Sequence, residues 1–216
     1  SVNDFKAITS YRLNGAFTYD EVGPDGELKH GTVSEDSYTN QAKTYGKMFG
    51  ITRQDIINDD MGALSSLPQR IGRGAGLKLN EVFWAAFLNN SSFFTTARKN
   101  YASGTATALG YDSLAAALVL FLNQTDPDNK PLGASPKLLL VPPALLVAAK
   151  QLYASTELRD TTASTKTPVA NIFAGTYEPI VSTYLSNSTL TGYSAKAWYL
   201  LADPNDLAVM EVAFLN

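Results

Sequence analysis

The sequence predicts an α+β protein: a β-arm, one long helix, and a mixed body of short strands and helices. Three observations carry this. Apolar residues fall on alternate positions near residue 11, and they step by threes and fours between residues 62 and 89. Beyond residue 137, short apolar runs alternate with turn-forming clusters.

In the arm, Tyr11, Leu13, Phe17 and Tyr19 occupy odd positions, the alternation of a half-buried strand. The run Glu21-Val22-Gly23-Pro24-Asp25-Gly26 is a turn by composition, because Pro presets φ and Gly permits positive φ. Tyr38 to Phe49 reads as the returning strand, so residues 11–50 form a long hairpin with a polar tip. Its flanks carry too few apolar side chains for a core of their own, and such a hairpin must lean on another surface.

Residues 62–89 are the main helix. Leu64, Leu67, Ile71, Ala75, Leu79, Val82 and Ala86 form its apolar stripe, widened by Phe83 and Phe87. Asp59 and Asp60 precede it, where acids favour the positive end of the helix dipole. Gly72, Gly74 and Gly76 each cost roughly 1 kcal/mol against Ala in a helix interior. They imply either close packing against a neighbouring element or a bend. Asn89-Asn90-Ser91-Ser92 ends the helix.

In the body, a second helix runs from about Asp112, at its N-cap, to Asn123. Asp126 to Gly133 is a turn cluster. Lys137 to Val141 reads as a strand, continuously apolar after its first residue, the pattern of a strand buried on both faces. Pro142-Pro143 opens a helix reaching Ser155, where the missing N–H costs nothing. The Thr- and Ser-rich stretch 156–170 reads as a mobile loop. Strands follow at Ile172-Phe173, Glu178 to Leu185, Ala195 to Leu201 and Leu207 to Leu215. Asp203-Pro204-Asn205-Asp206 links the last two as a hairpin.

Composition narrows the chemistry. The 216 residues are 45% hydrophobic and only 17% charged, a balance that leaves more surface than usual for protein contact. Net charge is −3 and no basic tract exists, so tight phosphate-driven binding of DNA is excluded. With no cysteine and a single histidine, His30, disulfides, thiolate metal sites and multi-His metal sites are ruled out. No cofactor is implied. No apolar run is long enough to cross a bilayer, so no membrane role is expected. The start Ser1-Val2-Asn3-Asp4 lacks a signal peptide's basic and apolar segments, and the four Asn-x-Ser/Thr matches, at Asn89, Asn90, Asn123 and Asn187, read as chance.

Four motifs invite catalytic or ligand readings, and each has a plainer one. Asp55, Asp59 and Asp60 offer paired carboxylates for glycoside-type hydrolysis, but acids are expected at a helix start. His30, in the polar Lys29-His30-Gly31 loop, has no apolar framework to fix it as a base. Gly72-Arg73-Gly74-Ala75-Gly76 lacks the third glycine and the preceding strand of a dinucleotide fingerprint. Asp126-Pro127-Asp128-Asn129 lacks the central Gly and distal Glu of a calcium loop.

An ordered set of strings carries a resemblance. It begins with Thr44-Tyr45-Gly46-Lys47-Met48-Phe49-Gly50-Ile51-Thr52-Arg53-Gln54 and continues from Asp55 to Asp60. Next come Leu67-Pro68 through Arg73 to Phe87, then Asp126-Pro127-Asp128 with Lys130-Pro131-Leu132. Leu138 to Leu145 and Trp198-Tyr199-Leu200-Leu201-Ala202-Asp203-Pro204 complete it. In this order, over residues 11–216, the chain resembles the major capsid proteins of Mu-like phages and prophages, often encoded as the capsid part of a prohead protease/capsid fusion. In that family an N-terminal arm or protease portion precedes the matched region, so the chain is expected to be a trimmed or processed piece.

The resemblance implies the tailed-phage/herpesvirus major-capsid fold, with an extended β-hairpin loop, a long spine helix, and peripheral and axial domains. Residues 1–50 would be an N-terminal remnant and the extended loop, and 51–111 the spine helix and peripheral domain. Residues 112–195 would be the axial domain, and 196–216 return strands of the peripheral domain. The function implied is that of a non-enzymatic, self-assembling subunit of an icosahedral head enclosing double-stranded DNA. It would sit in the phage head, and in the bacterial cytoplasm before assembly. Its partners would be its own copies in hexamers and pentamers, a scaffold or prohead protease, a portal, and packaged DNA held non-specifically. On this reading Phe17, Tyr19, Tyr38 and Tyr45 are contact candidates along the arm, since aromatics give large area at low entropic cost. Arg70, Arg73 and Lys78 on the helix would face DNA or a neighbour's acids. The alternatives are another phage component, such as a tail or decoration protein, and a carboxylate-based hydrolase.

Overall fold

The computed structural model describes residues 4–15, 22, 33–58, 62–125, 129–159, 168–205, 209–210 and 212–215. The chain separates into two units, the first comprising residues 1–70, 125–130 and 211–216, the second residues 71–124 and 131–210.

In the first unit, β1 (Ile8–Gly15) pairs antiparallel with β2 (Val33–Asn40), from Ile8 opposite Asn40 to Gly15 opposite Val33. The returning strand therefore lies at 33–40 and not at 38–49 as expected. It stops where its partner stops: Ile8 is the last residue of β1 available, and beyond it the Gln41 side-chain amide donates to the Phe5 carbonyl at 2.9 Å. Residues 41–52 then run without regular structure to a one-and-a-half-turn helix, α1 (Arg53–Ile57). Among the described residues of this unit, none is buried.

A 3-10 turn (Ala63–Ser66), entered through Gly62 at φ +63°, leads into α2 (Leu67–Leu88), close to the span its apolar stripe predicts. Asp59 and Asp60, expected to favour its start, lie outside the described residues.

The second unit is built on one strand. β3 (Pro136–Val141) sits in the middle of a three-stranded sheet, with β6 (Glu178–Val181) parallel on one side and β7 (Tyr199–Ala202) antiparallel on the other. Strand alternation sends its residues to two cores. Leu139 and Val141 face α3 (Tyr111–Leu122) and α4 (Leu146–Ala154), meeting Leu114, Ala149, Leu152, Phe173 and Tyr177. Leu140 faces the C-terminal part of α2 and meets Phe87, Leu88, Leu185 and Leu190. β7 and the residue before it alternate in step, with Trp198 and Leu200 on the first side and Tyr199 and Leu201 on the second. This explains the uninterrupted Leu138-Leu139-Leu140-Val141 run: with helices over both faces, every position is apolar. Leu139 is 1% exposed, and burying such a side chain is worth roughly 1.5–3 kcal/mol.

Polar contacts lock the irregular parts of this unit. Asn171 is buried and its side-chain amide donates to the Leu152 and Ser155 carbonyls at 2.6 and 2.7 Å, while its Oδ1 accepts from the Phe173 N–H at 3.0 Å. Both of its amide N–H groups tether the 171–177 turn to the end of α4, and its Oδ1 closes the turn itself. The indole N–H of Trp198 donates to the Thr107 carbonyl at 2.9 Å. Lys137 on β3 pairs with Asp203 just after β7. This bond holds the Asp203 carboxyl below the ordinary carboxylate range and the Lys137 ammonium above its own.

Several local expectations change. α3 begins at Tyr111 with Gly110 as its N-cap, so Asp112 lies in the first turn and is exposed. Ser113 performs the capping: its hydroxyl accepts from the Gly110 N–H at 2.9 Å and donates to the Ala108 carbonyl at 2.6 Å. Ile172-Phe173 is a turn, because Asn171 curls the chain onto α4. β6 ends at Val181 and residues 183–186 form a 3-10 turn. Residues 157–159 and 168–170, inside the stretch read as a loop, pair as the antiparallel strands β4 (Glu157–Arg159) and β5 (Pro168–Ala170). No strand occupies the described part of 207–215, so the expected terminal hairpin is absent there.

Gly192 has no room for a side chain. A Cβ there would lie 2.5 Å from the Leu88 carbonyl oxygen, and its φ is +85°. Gly192→Ala is expected to cost about 2–4 kcal/mol, combining a left-handed backbone with a steric clash. Denaturant unfolding of the purified protein measures this as a lowered midpoint with an unchanged slope.

Candidate functional site

The chemically distinctive feature of the first unit is apolar surface without cover. Between β2 and α1, Met48 is 94% exposed, and Phe49 and Ile51 are also exposed. On α1, Ile56 and Ile57 face solvent, the latter 68% exposed. A helix this short is marginal in water alone, so α1 is held by its cap. Thr52 Oγ1 accepts from the Asp55 N–H at 3.2 Å, while the Thr52 N–H and hydroxyl both donate to Asp55 Oδ2, at 2.9 and 2.6 Å. This is a reciprocal capping box. The Thr52 hydroxyl, and then the Thr52 N–H, hold the Asp55 carboxyl below the ordinary carboxylate range.

That geometry answers the hydrolase reading for one residue. Asp55 is occupied in holding a helix end. α1 stops at Ile57 with Asn58 as C-cap, so no described helix carries positions 55 and 59 on one face. Asp59, Asp60, His30 and residues 126–128 lie outside the described residues.

On α2, residues 68–77 are exposed on every side. Ile71, Leu77 and Leu79 are among the exposed large hydrophobic residues. Of the two explanations for Gly72, Gly74 and Gly76, close packing within the chain is not the one observed: a Cβ at any of them would meet nothing within 4 Å. Arg70 and Arg73, one helical turn apart, are both exposed here. Lys78 is half-buried and bonds Glu81 at 3.0 Å, so its charge is matched within the helix. Tyr45 is exposed between β2 and α1. Tyr38 lies on β2 opposite Ser10. Phe17 and Tyr19 lie outside the described residues.

Met48, Phe49, Ile51, Ile56 and Ile57 were not singled out from the sequence. The signal available was an apolar cluster in a segment lacking either strand or helix period. In the second unit, a shallow hollow of about 40 Å³ is lined by Phe87, Asn90, Phe93, Phe94, Val209 and Met210, none of them titratable. Burial pushes the phenols of Tyr199 and Tyr177 up, away from neutral titration. Among the described residues, no group of three His, Cys, Asp or Glu could hold a metal ion, and no helix is long and apolar enough to cross a membrane.

Uncovered apolar segments on one unit and a densely packed sheet on the other are the features an interaction protein needs. Residues 36–216 match the phage capsid protein family, and the chain belongs to it. No curated protein and no solved structure gives a match. The protein is thus a structural component of the bacteriophage head, found in the virion, and membership implies assembly with its own copies into a shell.

Two outcomes are expected from this geometry. The Asp55 carboxyl titrates lower in the folded state than in the unfolded chain. The cap's contribution is therefore present at neutral pH and lost as pH falls below the ordinary carboxylate range. Amide exchange at Asp55 to Ile57 should accelerate over that window, and Asp55→Asn should flatten the dependence. At Gly74, where a methyl group meets open space, Gly74→Ala should stabilise the free subunit by about 1 kcal/mol in chemical denaturation.

Proposed function

We propose that this head protein is the self-assembling subunit of an icosahedral shell enclosing double-stranded DNA, of the Mu-like kind related to prohead protease/capsid fusions. Residues 11–50 act as the extended loop and α2 as the spine helix. Residues 112–195 form an axial lobe meeting its equivalents around five- and six-fold axes, and 51–111 with 196–216 form the peripheral domain. The observation that supports this reading best is that the first unit exposes Met48, Phe49, Ile51, Ile56 and Ile57 and buries no described residue.

The physical argument is one of supply. A segment without a core gains stability only from a surface outside itself, and a shell of identical copies provides one at every position. Each contact can be modest because closure makes contacts multivalent. The arm lies across a neighbouring subunit, with Phe17, Tyr19, Tyr38 and Tyr45 contributing area. Arg70 and Arg73 meet a neighbour's acids or the packaged DNA, and Lys78, matched to Glu81, contributes less. A net charge of −3 suits enclosing DNA without gripping it. A scaffold or prohead protease and a portal complete the set of partners, and assembly begins in the bacterial cytoplasm.

Electron microscopy and light scattering of the purified protein should show closed shells or curved sheets. Rings, tubes, or binding only to preformed heads would favour a tail or decoration component instead. Met48→Asp and Ile57→Asp should each leave the free subunit's stability within about 0.5 kcal/mol of wild type, as exposed positions do. Both should abolish particle formation. Normal particles from both variants would sink the role assigned to this segment.

A further inference from the structure

α2 and the β1–β2 ladder carry surfaces that match each other in charge and spacing. On α2, Arg70, Arg73, Gly74 and Leu77 stand three or four residues apart, so they share one side of the helix. All four are exposed, Leu77 by 50%. Among the described residues neither arginine makes an ion pair, and a Cβ at Gly74 would meet nothing within 4 Å. This side is therefore basic at one end and apolar at the other, with open space between. Further along it, Glu81 is already matched by Lys78.

The ladder has two faces, and its register decides which one fits. Residues directly opposite each other share a face. One face sets Glu35 opposite Leu13, Ser37 opposite Tyr11 and Thr39 opposite Thr9, an acid with no base beside it. The other sets Asp36 opposite Arg12, so opposite charges meet within the ladder. Glu35 is exposed, and Tyr11 is exposed by 68%. Diagonal neighbours such as Glu35 and Tyr11 lie about 7–8 Å apart. On α2, the step from Arg73 to Leu77 covers about 6 Å at helical rise. An acid and a ring so spaced reach both ends of the helix side at once. DNA is the poorer occupant, because phosphate binding draws on clustered cations and gains nothing from Leu77.

Resting on the shell-subunit reading, we propose that the Glu35–Tyr11 face of the arm docks on the Arg70–Leu77 side of α2 in a neighbouring copy. Glu35 lies between Arg70 and Arg73, and Tyr11 enters the space over Gly74 against Leu77. The opposite face, with Tyr38, is left to the arm's other contacts. The two surfaces differ, so the contact is heterologous and runs head to tail from copy to copy. Exposed ion pairs are individually weak. Here they fix partner and register, and multivalency in the shell supplies the strength.

A charge swap tests the docking. Glu35→Arg alone, and Arg70→Glu together with Arg73→Glu, should each raise the concentration of full chain needed to form particles at least about tenfold, equivalent to ~1.4 kcal/mol. Denaturation midpoints of the free subunits should stay near the unsubstituted value, since all three positions are exposed. Combining the three substitutions in one chain should recover most of the lost assembly. Because the chain has no cysteine, particles co-assembled from Ser37→Cys copies and Leu77→Cys copies report the geometry, and a short bis-maleimide should join one copy of each kind. Substituted chains that assemble like the unsubstituted one, or a combined chain no better than its parents, overturn the docking and leave the shell reading intact. Recovery without joined copies also overturns it, since the charges then pair within one chain. Particles that form normally with both arginines reversed but fail to hold DNA assign those arginines to DNA and overturn it too. Failure of the unsubstituted chain to assemble under any condition sinks the shell reading and this contact together.

Discussion

The structure depends on an unequal distribution of apolar burial. Every buried side chain among the described residues belongs to the second unit, where β3 feeds one core on each side of the sheet. The first unit, despite Met48, Phe49, Ile51, Ile56 and Ile57, retains its local structure through hydrogen bonds: a two-stranded ladder and the Thr52–Asp55 cap. Hydrogen bonds of this kind contribute about 1 kcal/mol each against water. They specify shape without supplying much stability. Stability thus resides in one unit, while the other keeps these apolar side chains exposed.

Placing the apolar surface on a weakly self-supporting segment has a kinetic merit. Exposed hydrophobic side chains on a rigid monomer promote uncontrolled aggregation. On short elements such as α1, with a single capping box at its start, the same side chains present a defined face only when the local structure is formed. Arg70 and Arg73 on α2 stand unneutralised by i,i+3 or i,i+4 acids, in contrast to Lys78 with Glu81.

Much of the second unit was legible in the residues. The stripe from Leu64 to Ala86 located α2, and the continuous run at 138–141 located the central strand, because both signals are strong and long. The ends of elements were less legible. β2 carries Glu35, Asp36, Ser37 and Thr39, so its extent was set by the length of β1 and not by its own alternation. Asp112 looked like an N-cap, but the Ser113 hydroxyl already served Gly110. Apolar exposure was legible only as residue type. Apolarity at Met48, Ile57 or Val119 is written in the chain, but whether another part of the chain covers it depends on tertiary packing. Arg70 and Arg73 were singled out as candidates by charge alone. Lys78 was singled out the same way, and its partner Glu81 could have been read from the i,i+3 spacing.

β3 has a consequence for how each copy is made. Its partners lie far downstream, β6 at 178–181 and β7 at 199–202, and Leu139 and Leu140 complete their two cores only when those strands arrive. Pairings that distant fold slowly, since loop closure must precede the gain from contact. During synthesis, the body therefore stays incomplete until Ala202 has emerged from the ribosome. The apolar side chains of Met48, Phe49, Ile51, Ile56 and Ile57 are exposed throughout that delay. Rapid translation, or a chaperone sheltering the nascent arm, would limit premature sticking between unfinished chains.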